Sequence, residues 1–277
     1  MNHLVGDVHY TALALPGSKS ILTIHDLHRL DHLKGPARYL YRLLYFDLPL
    51  RRCKVITAIS ETVGDRIAKE FPFAADRIVV IPNPVPVGYV HRPKPFNVNY
   101  PCILQVGTAP HKNVNRVVQA IRGLSCELHL IGRLDDEQRR LLELNQVKYQ
   151  NSVDVSDAEM LQAYDQADLV VFVSLAEGFG MPIIEAQAMG RSVITSNLSP
   201  MKEVAGVGAL TVDPSDVGAI RGAICQVVEN GTAREFSIAA GLENAKRFSA
   251  KTVAGQYARL YERVSTCTSK DPTNPTT

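Results

Sequence analysis

Short apolar runs rich in β-branched residues recur along the chain, separated by stretches whose apolar positions fall at helical spacing. The runs are SILTIHD (20–26), KVITAIS (54–60), RIVVIPN (77–83), CILQVG (102–107), CELHLIG (126–132), ADLVVFVS (167–174) and RSVITS (191–196). The spacing between them predicts helices over 113–123, 135–145, 157–166, 183–189 and 216–229. Strands apolar on both faces, each followed by a helix, predict parallel sheets covered on both sides, and so an α/β fold.

One stretch breaks this rhythm. NPVPVGYVHRPKPFNVNYP (83–101) carries five prolines in nineteen residues and holds neither period. Proline fixes φ and removes a donor, so the stretch reads as an extended linker with a domain boundary near 84–98. The expected organisation is a first domain over 1–90, a second over 98–250, a last helix within 251–268 and a disordered polar tail over 269–277. The first domain offers only three clear strands. A three-stranded parallel sheet leaves an apolar edge, so either more sheet is expected from elsewhere or the chain is expected to lack its beginning.

Composition narrows the class only a little. The 277 residues are 45% apolar and 21% charged, with a net charge of +2, too mild to mark nucleic acid as a partner. Cys53, Cys102, Cys126, Cys225 and Cys267 stand singly, without metal-ligand or disulfide spacing, as in a cytoplasmic protein with reduced thiols. The first residues lack the pattern of a secretory leader, and no apolar run reaches a membrane-spanning length. Segment 28–52 interleaves cations with Tyr39, Tyr41, Tyr45 and Phe46. It fits a basic amphipathic surface lying peripherally on an anionic inner membrane, or an ordinary helix packing its aromatic rings inward.

In open α/β sheets ligands bind beyond the carboxyl ends of the strands, so the residues just after each run carry the candidate chemistry. After CILQV come Gly107, Thr108, His111 and Lys112; after CELHLI comes Gly132; after ADLVVFVSLA comes EGFGMPIIE (177–185). Lys112 and the amides of the helix that follows could face an anion such as a diphosphate, with His111 adding a proton-dependent charge. A surface lysine near a helix start is the plainer alternative. Gly178 and Gly180, flanking Phe179, leave main-chain amides uncovered, and Pro182 after Met181 suits a helix start. Glu185 then falls in the first turn and Glu177 on the preceding loop. Two carboxylates so placed can each accept from a pair of neighbouring hydroxyls. They could equally be the acid and nucleophile of a glycosidase, or, singly, a cap and a charge favouring the helix dipole.

EGFGMPIIEA (177–186), with VGTAPHKN (106–113), LIGR (130–133) and VSDAEMLQAYDQADLVVFVS (155–174), resembles the donor-binding domain of the retaining glycosyltransferases of family 4. The nine-residue stretch matches that family's E-x7-E signature. LTIHDL (22–27), TAISE (57–61) and VIPNPV (80–85) extend the resemblance to residues 3–250. The resemblance implies a GT-B-like fold: two Rossmann-like doubly wound parallel-sheet domains, here with the first shortened, and a last helix that can cross back to the first domain. Glu177 would contact hydroxyls of the donor sugar, assisted by amides around Phe179 and Gly180, and Glu185 would hold the ribose. Lys112 would neutralise the diphosphate, His25 would meet the transferred sugar, and main-chain groups near Val153 would receive the base. Where the family usually has an arginine before the lysine, this chain has Thr108 and His111.

The implied activity is retaining transfer of a hexose from a nucleotide diphosphate sugar, UDP-glucose ahead of GDP-mannose, to a polysaccharide or lipid-linked glycan. No cofactor or metal is expected, because Lys112 and helix ends can supply the positive charge. A reading from another class is a nucleotide-sugar-binding protein or inactive subunit that needs a partner to complete the acceptor domain.

Overall fold

The computed structural model describes residues 1–266; Cys267 and the tail expected to be disordered, 269–277, lie outside the described residues. The chain divides into two compact units, one formed by Met1–Asn83 together with the residues from Lys251 onward, the other by Pro84–Ala250.

The first unit is built on four parallel strands in sequence order: β1 (Asn2–Leu4), β2 (Ser20–Ile24), β3 (Val55–Ala58) and β4 (Ile78–Val80). The expected three strands are thus one too few. β1 escapes periodicity because its three residues, NHL, contain a single apolar side chain. It is held instead by polar contacts: His3 Nε2 lies 2.7 Å from Thr23 Oγ1, which lies 2.6 Å from Thr57 Oγ1. The last helix, Ala250–Thr266, buries Val253, Leu260 and Val264 against Ile21, Val55 and Ile81 of this sheet. Tyr261 on the same helix places its hydroxyl 2.7 Å from His3 Nδ1.

The second unit contains β5 (Cys102–Val106), β6 (Glu127–Ile131), β7 (Tyr149–Ser152), β8 (Leu169–Phe172), β9 (Ser192–Ser196) and β10 (Leu210–Val212). All are parallel, in the spatial order β10-β9-β8-β5-β6-β7. The winding reverses between β5 and β8, which makes this a doubly wound sheet with its switch point between those two strands. β7, β10 and a helix over Gly231–Ala245 are additions to the expected elements. β7 reads YQNS and is an edge strand, so it lacks an apolar run, and β10 is only three residues of half-exposed edge. In the helix, Gly231 and Gly241 and an exposed Phe236 blur the single apolar stripe that periodicity needs.

The core follows the pattern. Val114, Val117, Val118 and Ile121 recur at helical spacing on helix Val114–Ile121 and pack with Ile103, Leu128, Leu130, Leu169 and Val171 of the sheet. Each fully buried aliphatic side chain contributes on the order of 1.5–3 kcal/mol. Helix Asp157–Gln166 starts at a reciprocal cap: Ser156 accepts from the Glu159 amide, and the Glu159 carboxylate accepts from the Ser156 amide at 2.8 Å.

The domain boundary lies earlier than expected. Residues 84–97 are extended, as their prolines dictate, but they lie on the second unit rather than between two domains ending at 90 and starting at 98. The Val85 amide donates to Phe248 O at 2.7 Å and the Arg92 amide to Met189 O at 3.3 Å. Lys94 pairs with the buried Asp168 at 3.0 Å, and Arg191 donates to Arg92 O at 2.8 Å. These satisfied groups fix the stretch to one side.

Candidate active site

Every predicted donor-side residue lies in the second unit, and the central ones converge on the switch point. The loop after β5 and the loop after β8 are tied by the Leu175 amide, which donates to His111 O at 2.8 Å. Gln105, buried in β5, donates from Nε2 to Lys112 O at 2.9 Å and so fixes the short turn Pro110–Lys112. Asn113 follows in the left-handed region at φ 64°, which asparagine tolerates better than most residues. Its side chain donates to Val173 O and Pro214 O at 3.0 and 2.7 Å, joining β8 to the loop after β10.

This frame delivers Lys112 to Glu177. The Lys112 Nζ lies 2.6 Å from Glu177 Oε1, with the two side chains only 19% and 13% exposed, and 4.8 Å from the centre of the Phe172 ring. Gly107 makes the path: its φ is +91°, and a Cβ there would fall 2.9 Å from Lys112 Cε. The side chain therefore runs directly over the glycine. An ammonium ion in contact with a carboxylate at low exposure is a strong charge-assisted pair.

Gly180 ends the signature loop at φ +111°, where an L side chain is strained, and serves as the N-cap of helix Met181–Ala188 without any side-chain cap. Pro182 is thereby the second helical residue. Glu185 is the fifth, beyond the first turn where the sequence placed it, because the helix begins two residues earlier than the expected 183. Gly178 is half-buried, while Phe179 points into the core and meets Phe248 edge-on at 5.6 Å. Only the main chain of Phe179 is then available to a ligand.

Glu185 has a different partner. Tyr164, fully buried on helix Asp157–Gln166, donates its hydroxyl to Glu185 Oε2 at 2.6 Å. Burial raises the Glu185 carboxyl above its ordinary value, and the Tyr164 hydrogen bond opposes that rise. Burial, followed by the Glu185 charge and hydrogen bond, pushes the Tyr164 phenol well above 10, so it remains a donor. Tyr89 meets the Tyr164 ring edge-on at 5.5 Å, and its own hydroxyl is pushed up to about 12 by burial and then by the Glu185 charge.

The remaining predicted positions sit nearby in the sheet order. Thr108 donates to Arg133 O at 2.7 Å, and Gln138 donates to Thr108 O at 2.7 Å, so Thr108 ties two loops together rather than presenting a cation. The Gly132 amide donates to Ser152 O at 2.8 Å, and Val153 lies exposed just past β7. Tyr164, Tyr89, Gln105 and Asn113 were not singled out by the sequence. The isolated amide in CILQV and the tyrosine inside AYDQADL are the signals that could have found two of them.

His25 belongs to the first unit, half-buried immediately after β2. Of the four aromatic residues in segment 28–52 of that unit, only Phe46 is buried, alongside the aliphatic Leu30 and Leu50. Tyr41 stacks on Tyr45 at 4.4 Å and Tyr39 is 69% exposed. Arg38 and Arg42 both pair with Glu70, and Arg51 lies over the Phe73 ring at 4.0 Å. Much of the segment's positive charge is engaged within the unit.

Among the described residues, no group of three or more His, Cys, Asp or Glu side chains could hold a metal ion, and no helix is long and apolar enough to cross a membrane. Cys53, Cys102, Cys126 and Cys225 are free thiols, and burial pushes the first three up to about 11.

Comparison with known proteins identifies the family and the fold. Residues 100–230 match the family model described as glycosyl transferases group 1, and residues 2–89 match glycosyltransferase family 4. O-antigen chain mannosyltransferase B of Escherichia coli is 30% identical over 271 residues, covering 88% of this chain and 70% of that protein. O-antigen chain mannosyltransferase RfbU of Salmonella typhimurium is 31% identical over 223 residues, 77% of this chain and 61% of that protein. A glycosyltransferase structure from Rickettsia africae superposes with a TM-score of 0.75 at 20% identity, over 95% of this chain and 76% of that one, a likeness of fold. The two sheets, the signature loop and these relatives place the chain in the family 4, group 1 glycosyltransferases, with the GT-B fold.

Proposed function

We propose that this chain transfers mannose, with retention of configuration, from GDP-mannose to a glycan or lipid-linked glycan acceptor. The observation that carries the donor site is the Lys112–Glu177 ion pair at the switch point, with Glu185 eight residues further on. The two acids have different partners, a cation and a phenol, which favours two separate contacts on one extended ligand over a pair working on a single bond. Lys112 and the uncapped amides of helix Met181–Ala188 would face the diphosphate. Glu177 would accept from hydroxyls of the sugar, Glu185 from those of the ribose, and the exposed main chain near Val153 would meet the base.

In the reaction the bond from the anomeric carbon to the β-phosphate oxygen breaks. The acceptor oxygen attacks from the same face, and its proton passes to the departing phosphate. Charge grows on that phosphate as the bond breaks, and Lys112 stabilises it where it develops, without need of a metal ion. His25 is assigned to the transferred sugar on the family resemblance. Mannose moves ahead of glucose because both O-antigen relatives are named as mannosyltransferases.

Thermal unfolding with GDP, UDP and ADP, followed by transfer from radiolabelled GDP-mannose and UDP-glucose in the presence of chelator, tests this reading. A ligand at 100 times its Kd raises native stability by about 2.7 kcal/mol. GDP should give the largest shift and GDP-mannose the labelled product. Product from UDP-glucose alone would overturn the donor assignment, and turnover abolished by chelator and restored by Mg²⁺ would overturn metal independence.

A further inference from the structure

Tyr164 is wholly buried, yet it carries a hydroxyl that must find a partner, and the one it finds is a carboxylate. The 2.6 Å separation is that of a charge-assisted O–H···O bond. Its backbone is also held. Arg191, itself only 3% exposed, donates from Nε to Tyr164 O at 2.8 Å and from Nη2 to Asp165 O at 3.1 Å. The reciprocal cap at Ser156 secures the other end of the same helix. Tyr89 closes one side of the ring from the extended segment 84–97. Glu185, by contrast, is only half-buried, and the side-chain hydrogen bond it accepts from Tyr164 goes to Oε2.

We infer that Tyr164 is a positioning residue for nucleotide recognition: by donating to Oε2 it fixes the Glu185 carboxylate so that Oε1 is presented to a ribose hydroxyl. The inference rests on the reading of Glu185 as the ribose contact. A carboxylate on a three-bond side chain rotates freely unless one oxygen is fixed, and its rotational entropy is then lost on binding. A buried phenol fixes it beforehand, and this phenol is too weak an acid to become a competing anion. A purely structural tyrosine would fill the same space without tuning how one hydroxyl of a ligand is felt.

The test compares binding of GDP with 2′-deoxy-GDP and 3′-deoxy-GDP, and of UDP with its two deoxy analogues, by calorimetry on the full chain. Wild type should prefer one ribonucleotide by about 10–100-fold over the analogue lacking the contacted hydroxyl, the value of a hydrogen bond to a charged group. Tyr164→Phe should weaken the ribonucleotide about 10-fold, leave the deoxy analogue unchanged, and so reduce the preference by about the same 10-fold factor.

A Tyr164→Phe protein that keeps the full preference overturns the inference while leaving Glu185 in its role, provided Glu185→Gln loses the preference. If Glu185→Gln also keeps it, or wild type shows none, the ribose reading falls and the positioning role with it. Should Tyr164→Phe not fold, 3-fluorotyrosine incorporated at 164 retains shape and donor while acidifying the phenol. It should change ribonucleotide affinity and leave the deoxy analogue untouched, and no change in either would overturn the inference.

Discussion

Glu177 and Glu185 stand eight positions apart in one signature, and the protein holds them by opposite means. Glu177 lies on a loop and is neutralised by an ammonium ion that reaches it across 65 residues of sequence. Glu185 lies inside a helix and is held by a neutral phenol in a site whose burial disfavours its charge. On the proposed function, the first arrangement would hold a cation for a phosphate to share, and the second would hold a carboxylate oriented towards hydroxyls. On that proposal one signature carries a charge device at one end and a geometric device at the other.

The sharpest break in that comparison is at Lys112. Removing one partner of a poorly exposed ion pair leaves the other charge stranded. Lys112→Met is expected to lose about 10²–10³-fold in kcat, the effect of deleting one stabiliser of developing charge. It should also lose about 2–3 kcal/mol of stability, because Glu177 is left unpaired. Adding Glu177→Gln should return stability to within about 1 kcal/mol of wild type while turnover stays low. Urea unfolding and single-turnover assays of the three proteins check this. A double variant no more stable than Lys112→Met would show that the pair does not act as a unit.

How much of this was legible beforehand follows from where each signal lies. The central strands β5, β6, β8 and β9, the helices between them and the glycines that open the signature loop are local signals, so apolar period and turn chemistry expose them. The edge strands β7 and β10 and helix Gly231–Ala245 lack that period. The four-stranded first sheet was not legible, because β1 has one apolar residue and is secured by His3, Thr23 and Tyr261, contacts that link distant parts of the chain. Lys112 and Glu177 were each legible as chemistry, but their pairing depends on the β5–β8 adjacency, which spacing does not encode. Tyr164 was hidden for a related reason. It lies at an apolar position of a helix and is indistinguishable from a core aromatic until Glu185, 21 residues later, is seen beside its hydroxyl.

A milder effect sharpens the division between the two acids. Glu177→Gln should lower sugar transfer about 10–100-fold yet change free GDP affinity by no more than about 3-fold, since the lost bonds are to the sugar and Lys112 is released towards phosphate. Glu185→Ala should weaken free GDP by about 10–100-fold, because its hydroxyl contact is present without the sugar. Calorimetry with GDP alone, beside initial rates with GDP-mannose, separates the two. Equal losses of free GDP affinity would remove the distinction between a sugar end and a ribose end.

The smallest effect tests the physical basis of the contrast. Burial holds the Glu185 carboxyl above its ordinary 4.5, so the native state takes up a proton at a pH where the unfolded chain does not. Stability therefore rises as pH falls through the raised native value, and the gain levels off below 4.5, where both states are protonated. Other titrating groups, including His3, His9 and His129, whose burial lowers their values, push the other way below 6.5. They are common to wild type and Glu185→Gln, so they cancel in the difference between the two proteins. The stability of wild type relative to Glu185→Gln should therefore climb as the pH is taken from 8 towards 4.5. A difference that stays level would mean that Tyr164 fully offsets the cost of burial, leaving the Glu185 charge no more costly to the fold than that of an exposed carboxylate.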